Sequence, residues 1–209
     1  MPIPAVYRNA GEGKITSYSF YDMLSGTGYK TFYGMDLTEV STNKYALSPE
    51  ILDPLNGYTA SAGGGSLDLD FDLSVQLPFT LKGNCLINVP IGAGAAGLTD
   101  VTIPTTIKLY KVSGGVETQL GDTVTNSMVF LSVSNVAYQH RILAGRIIMP
   151  TTSFKAGDTI RLSVACTGSG TNTVFIYHAP TNATAYLPAQ DTTTYPIDLL
   201  VCLPFRVDL

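Results

Sequence analysis

From Leu67 to Leu77 the chain reads Leu-Asp-Leu-Asp-Phe-Asp-Leu-Ser-Val-Gln-Leu, with apolar and polar residues alternating without a break. Successive side chains of an extended strand point to opposite faces. The spacing therefore predicts a strand with Leu67, Leu69, Phe71, Leu73, Val75 and Leu77 on one face and Asp68, Asp70, Asp72, Ser74 and Gln76 on the other. A helix would scatter both sets around its axis. The segment commits its surroundings to an antiparallel sheet with one buried and one wet face.

The rest of the chain repeats that theme in short β-rich runs separated by turn residues. The runs are Ile15–Tyr21, Leu24–Asp36, Cys85–Ile91, Val101–Lys111, Val116–Leu120, Val124–Val133, Arg141–Met149, Thr159–Ala165, Val174–His178 and Ile197–Val207. Ser113-Gly114-Gly115 and Lys155-Ala156-Gly157-Asp158 supply tight turns, and Ala60–Ser66 with its three glycines reads as a flexible loop. One helical turn is expected within Leu47–Gly57, with Ser48 as cap and Pro49 at its first position. About ten strands with so little helix predict an all-β fold, a single antiparallel β-sandwich or jelly-roll-like domain over residues 15–209. Residues 1–14 are expected to form an extended N-terminal arm, because Pro2 and Pro4 disfavour helix and Gly11 and Gly13 loosen its end. No shift in composition marks a second domain.

Charged residues make up 13% of the 209, about half the roughly 25% usual in soluble domains. Surface polarity must then come from Thr, Ser, Asn, Gly and Tyr, and such a weakly hydrated surface suits a protein packed against neighbours. The net charge of −4, with Lys and Arg spread singly, argues against a nucleic-acid partner. Mean hydropathy is +0.21, yet no apolar run approaches the ~18 residues of a membrane-spanning helix, and the first residues lack the pattern of a signal peptide. Neither a membrane nor a nucleic acid is expected as partner. Cys85, Cys166 and Cys202 lack metal spacing, and each sits among apolar neighbours; buried thiols in a reducing cytoplasm are expected.

Candidate chemistry is sparse. Gly92-Ala-Gly94-Ala-Ala-Gly97 matches the letters of a dinucleotide-binding fingerprint, but the Thr- and Val-rich stretch after it resists the helix that fingerprint needs, so a loop between strands is expected. Asp68, Asp70 and Asp72 share a face and are the candidate ligands for Ca²⁺; the alternative is a solvated strand face. Asp100, Asp122 and Asp158 read as isolated turn acids. His140 and His178 have no nucleophile elbow or metal motif beside them, and His178, at a strand end, is a candidate for exposure. Asn182-Ala183-Thr184 spells a glycosylation sequon, and Tyr18, Tyr21, Tyr29, Tyr33 and Tyr45 crowd the first quarter as interface or sheet-rim residues. With no catalytic constellation, the expectation is a non-enzymatic protein without cofactor.

Four stretches resemble a class of tailed-phage virion proteins, small β-sandwich or jelly-roll subunits that decorate or cement a capsid. They are Ile15–Gly34 with its Ser-Gly-Thr-Gly-Tyr-Lys-Thr-Phe-Tyr-Gly core, the acidic strand Leu67–Leu77 running into Pro78, Ser153–Val164, and Leu203–Asp208. The resemblance implies a structural subunit on the virion's capsid surface, assembled in the host cytoplasm. It implies the major capsid protein and further copies of this chain as partners, a homo-oligomer with a trimer favoured. The interface candidates on the arm are Pro2, Ile3, Pro4, Val6 and Tyr7. A tail, baseplate or fibre subunit, and a carbohydrate- or surface-binding β-sandwich module, are the alternatives.

Overall fold

The computed structural model describes residues 27–36, 45–50, 58–94, 100–130, 138–170, 172–178 and 199–206. The described residues form twelve strands: β1 (Thr27–Asp36), β2 (Tyr45–Ser48), β3 (Tyr58–Ser61), β4 (Ser66–Ser74), β5 (Phe79–Gly94), β6 (Val101–Ser113), β7 (Val116–Gln119), β8 (Val124–Phe130), β9 (Tyr138–Phe154), β10 (Thr159–Thr167), β11 (Thr173–Tyr177) and β12 (Leu200–Arg206). The all-β expectation holds. The arm residues Pro2, Ile3, Pro4, Val6 and Tyr7, the run 15–21 and the sequon lie outside the described residues.

The strands form one continuous ladder in the order β3-β11-β5-β12-β1-β2-β4-β10-β6-β7, with β9 on the far edge of β5 and β8 on β6. All pairings are antiparallel except one, a single parallel bridge between Ala46 of β2 and Asp72 of β4. That bridge joins two leaves. One contains β9, β5, β12, β1 and β2, with β11 and β3; the other contains β4, β10 and β6, with β7 and β8. Their inner faces share one hydrophobic core, to which Phe32, Ile87, Ile147 and Val201 come from the first leaf and Phe71, Ile107, Leu109 and Leu162 from the second.

The β4 alternation is realised at Leu67, Leu69 and Phe71, which are buried, and at Asp68 and Asp70, which are exposed. It fails at the end of the segment. Leu73 is only half-buried and Leu77 is 72% exposed. The cause is a contact distant in sequence: Val75 donates its N–H to Asp158 O and accepts from Gly157 N, both at 2.9 Å, so the turn before β10 captures the chain and deflects it from the strand direction. The expected helical turn is also revised. Ser48 does accept the Glu50 N–H at 3.1 Å, as a cap would, but it is the last residue of β2; residues 51–57 lie outside the described set.

β5 is sixteen residues long and runs through Pro90. Its near edge pairs with β12 over Leu86–Asn88 and with β11 over Ile91–Gly94. Pro90 falls in the gap between these two partners, a place where a missing N–H costs the ladder little. The expected loop at Gly92 is strand instead. Gly92 pairs with Phe175 on one side and His140 on the other, and a Cβ there would meet the Tyr177 ring at 2.7 Å. The glycine makes room for an aromatic ring laid across the sheet. At Gly114 and Gly115, by contrast, the demand is conformational: φ values of 57° and 83° build the two-residue hairpin between β6 and β7.

Candidate functional site

Partners in a ladder present their side chains on the same face, so the pairings fix what each leaf shows to the outside. In the first leaf Arg146, Leu86, Cys202 and Thr31 form one row across β9, β5, β12 and β1. The next row is Ala144, Asn88, Leu200 and Tyr33, and on the other side Ile148 lies opposite Asn84. Tyr29, Leu86, Ile142 and Ile148 are 49%, 45%, 56% and 57% exposed. Arg146 is the one charged side chain in these rows. Exposed apolar side chains gathered on one sheet face in this way are a feature of interaction surfaces. Towards β11 and β3 the same side of the sheet carries a small buried aromatic cluster: Phe175 and Tyr177 are stacked with centroids 6.2 Å apart, and Tyr58 meets Phe175 edge-on.

The second leaf's outer face has the opposite character. Arg161 of β10 holds Asp72 of β4 through two parallel bonds, Nε to Oδ1 and Nη2 to Oδ2, both 2.7 Å. Its Nη1 donates to Glu117 at 2.7 Å and lies 3.3 Å from Asp70. Ser163 reaches Asp68 at 3.4 Å. Burial raises the Asp70 carboxyl above its ordinary value, against the pull of Ser163 and Arg161. The three aspartates considered as calcium ligands therefore have an internal cation among them, and no group of three or more His, Cys, Asp or Glu among the described residues is arranged to hold a metal.

Asp158 is not the isolated turn acid expected from sequence. Its Oδ2 accepts from the Lys155 N–H at 2.9 Å and pairs with Lys111 Nζ at 3.0 Å, while its Oδ1 accepts from Ser113 at 2.7 Å. The Lys155 amide, then the Ser113 hydroxyl and Lys111, hold the carboxyl down at about 2. This side chain locks the β9–β10 turn to the end of β6. Its partners on β6 lie 45 and 47 residues away in the chain, in positions that local sequence pattern does not connect.

His178 is fully buried, contrary to the exposure considered for it. Its Nε2 lies 3.0 Å from Thr59 Oγ1, which lies 2.7 Å from the Tyr45 hydroxyl, and the Tyr45 and Phe71 rings pack on the imidazole at 5.4 and 6.0 Å. This polar cluster ties β2, β3 and the end of β11 together across the core. His140 lies beside Tyr177, 6.4 Å between ring centroids. Cys85 and Cys166 are buried as expected, and desolvation pushes both thiols up to about 12. Cys202 departs from that expectation: it is half-buried, in the middle of the apolar outer face, 3.4 Å from Thr31 Oγ1.

Fold and surfaces together define a β-sandwich domain with one charged and one apolar outer face. No protein-family model matches the chain, and no curated protein matches it. Among solved structures, a CocE/NonD family hydrolase from Staphylococcus aureus aligns with a TM-score of 0.51 and 10% identity, covering 86% of this chain and 37% of the hydrolase. An aminopeptidase from a Thaumarchaeota archaeon of marine sediment aligns at 0.45 and 10%, covering 84% and 36%. The structure of the Gx strain of infectious bursal disease virus aligns at 0.31 and 11%, covering 87% and 37%. The chain thus spans little more than a third of the hydrolase it matches. The expectation of a non-enzymatic protein is corrected by this comparison, because the fold is shared with part of a hydrolase chain. A missing catalytic signature in the sequence does not set the chain apart from enzymes.

Proposed function

We propose that this protein is an assembly module, held in a larger structure through the apolar outer face of its β9–β5–β12–β1 leaf, and more specifically a virion subunit that decorates or cements a capsid. The contrast between the two outer faces supports the reading. One carries Arg161 with Asp70, Asp72 and Glu117 in paired, solvated arrangement; the other exposes Leu86, Ile142 and Ile148 around a single Arg146. A chain with only 13% charged residues keeps most of its charge off the face it docks with. Its partner in this reading is the major shell protein, together with copies of itself, and many repeated modest contacts on a symmetric shell add up through avidity.

The test is the copy number of this protein in purified particles relative to the major shell protein, by quantitative mass spectrometry. Numbers comparable to the shell subunit place it on the head, and a few copies place it in the tail or a fibre. Absence from particles refutes the virion reading. The hydrolase likeness motivates the second reading, an accessory β-sandwich packed beside a catalytic unit through the same face.

A further inference from the structure

Resting on the reading of the apolar face as a docking surface, we propose its occupant: the segment Pro2–Tyr7 of a neighbouring copy of this chain, exchanged between subunits. Three observations converge on that segment. First, it carries no charge and alternates proline with apolar residues, Pro-Ile-Pro-Ala-Val-Tyr, which matches a face with one charged side chain. Second, Pro2 and Pro4 lack N–H donors, so the segment is suited to lie across side chains rather than to extend a ladder, and proline-rich segments dock against aromatic side chains. Tyr29 and Tyr33 of β1 provide such rings. Third, the lengths agree. Six extended residues span roughly 20 Å, and so do the six residue steps from Ile142 to Ile148 along β9.

The length of chain that precedes the described fold allows the segment to serve a neighbour's face. β1 enters the sheet at Thr27, paired with Arg206, beyond the Tyr29 end of the face. The nineteen residues 8–26 reach roughly 63 Å when extended. A domain of this length is roughly 43 Å across. The tether therefore reaches the equivalent face of an adjacent copy. The face by itself covers only about 450 Å² in projection, four strands by seven residues. A patch of that extent accommodates a short extended segment laid along it.

Cys202 provides the probe, since it sits mid-face while Cys85 and Cys166 are buried. Iodoacetamide labelling of Cys202 is followed alongside sedimentation velocity at rising concentration of the full chain. The expected result is self-association with Cys202 labelling slowed about tenfold, the factor that nine-tenths occupancy produces. Deleting residues 2–7 returns a monomer with fast labelling and an unchanged melting temperature, and a synthetic peptide of residues 1–8 added to that deletion protein slows labelling again. Association and protection that survive the deletion but fall with Ile148→Asp overturn the segment and leave the face standing. Survival of both changes overturns the face as well. Ile142→Asp replaces Ile148→Asp if the latter does not fold. A monomer whose Cys202 is protected until residues 2–7 are removed overturns exchange between copies, and a monomer with Cys202 open at every concentration overturns the proposal outright.

Discussion

Adding one methyl group at Gly92 tests how the sheet was built. Alanine ordinarily strengthens a strand relative to glycine by roughly 0.5–1 kcal/mol, because glycine loses more backbone freedom on folding. At Gly92 the new Cβ would lie 2.7 Å from Tyr177 Cε2, 2.8 Å from its hydroxyl oxygen and 3.2 Å from Gln139 O. Tyr177 is nearly buried between Phe175 and Tyr58, so the ring has little space to yield. Overpacking of this kind costs about 1–3 kcal/mol, which outweighs the strand gain and reverses the sign. For a chain of this size each kcal/mol lowers the melting temperature by about 2–4 °C. The decisive assay is a double-mutant cycle by urea melts. Gly92→Ala destabilises the parent, whereas in a Tyr177→Ala background the same change is neutral or stabilising, giving a coupling of about 1–3 kcal/mol. An equal effect in both backgrounds, or a stable Gly92→Ala protein, would refute the claim that the ring selects the glycine.

Other parts of the molecule yield three more expected outcomes. The Asp158 carboxyl is held at about 2 in the fold against an ordinary 3.8, so its contribution is fully present above 3.8 and is lost as pH falls through the folded value. Urea midpoints across the acid range should fall less steeply for Asp158→Asn than for the parent, and parallel curves would deny the lock. Replacing Arg161 with Met leaves Asp70, Asp72 and Glu117 without their shared cation. The expected cost is about 1 kcal/mol at low salt, smaller in molar salt, and a variant as stable as the parent at low salt would show the pairs to be idle. Chelation with EDTA should leave the melting temperature unchanged, because Arg161 rather than a metal pairs with Asp70 and Asp72; a large fall would restore Asp68, Asp70 and Asp72 as calcium ligands.

What could be read from the sequence was whatever local spacing encodes. The alternation at Leu67–Phe71, the Gly114–Gly115 hairpin and the turn at Lys155–Asp158 are written within a few residues, and the structure contains all three. Misreadings arose where a residue's role is set from a distance. Leu77 is pulled out of the alternation by a turn eighty residues later, and Gly92 is explained by a ring eighty-five residues later. The glycines from Gly92 suggested a loop at the end of what is a single sixteen-residue strand, since the ring that selects Gly92 is brought beside it only in the assembled sheet. The apolar outer face was hidden for the same reason. Leu86, Ile142, Ile148 and Cys202 come from three strands, and each alone is an ordinary strand residue. Only their register makes them a surface.

The placement of β12 has a consequence for biosynthesis. The last of the described strands occupies an interior slot, between β5 and β1, with Cys202 paired to Leu86 on one side and Thr31 on the other. A chain emerging from the ribosome therefore has β1 and β5 waiting, their edges open, until residues 200–206 are made. The first leaf closes only around its final strand, and such long-range pairings fold slowly. In the interval the edges of β1 and β5 are available to any passing chain, including a second nascent copy. Dense translation on one messenger favours mispairing at that slot, and slower, more dispersed synthesis favours the correct strand.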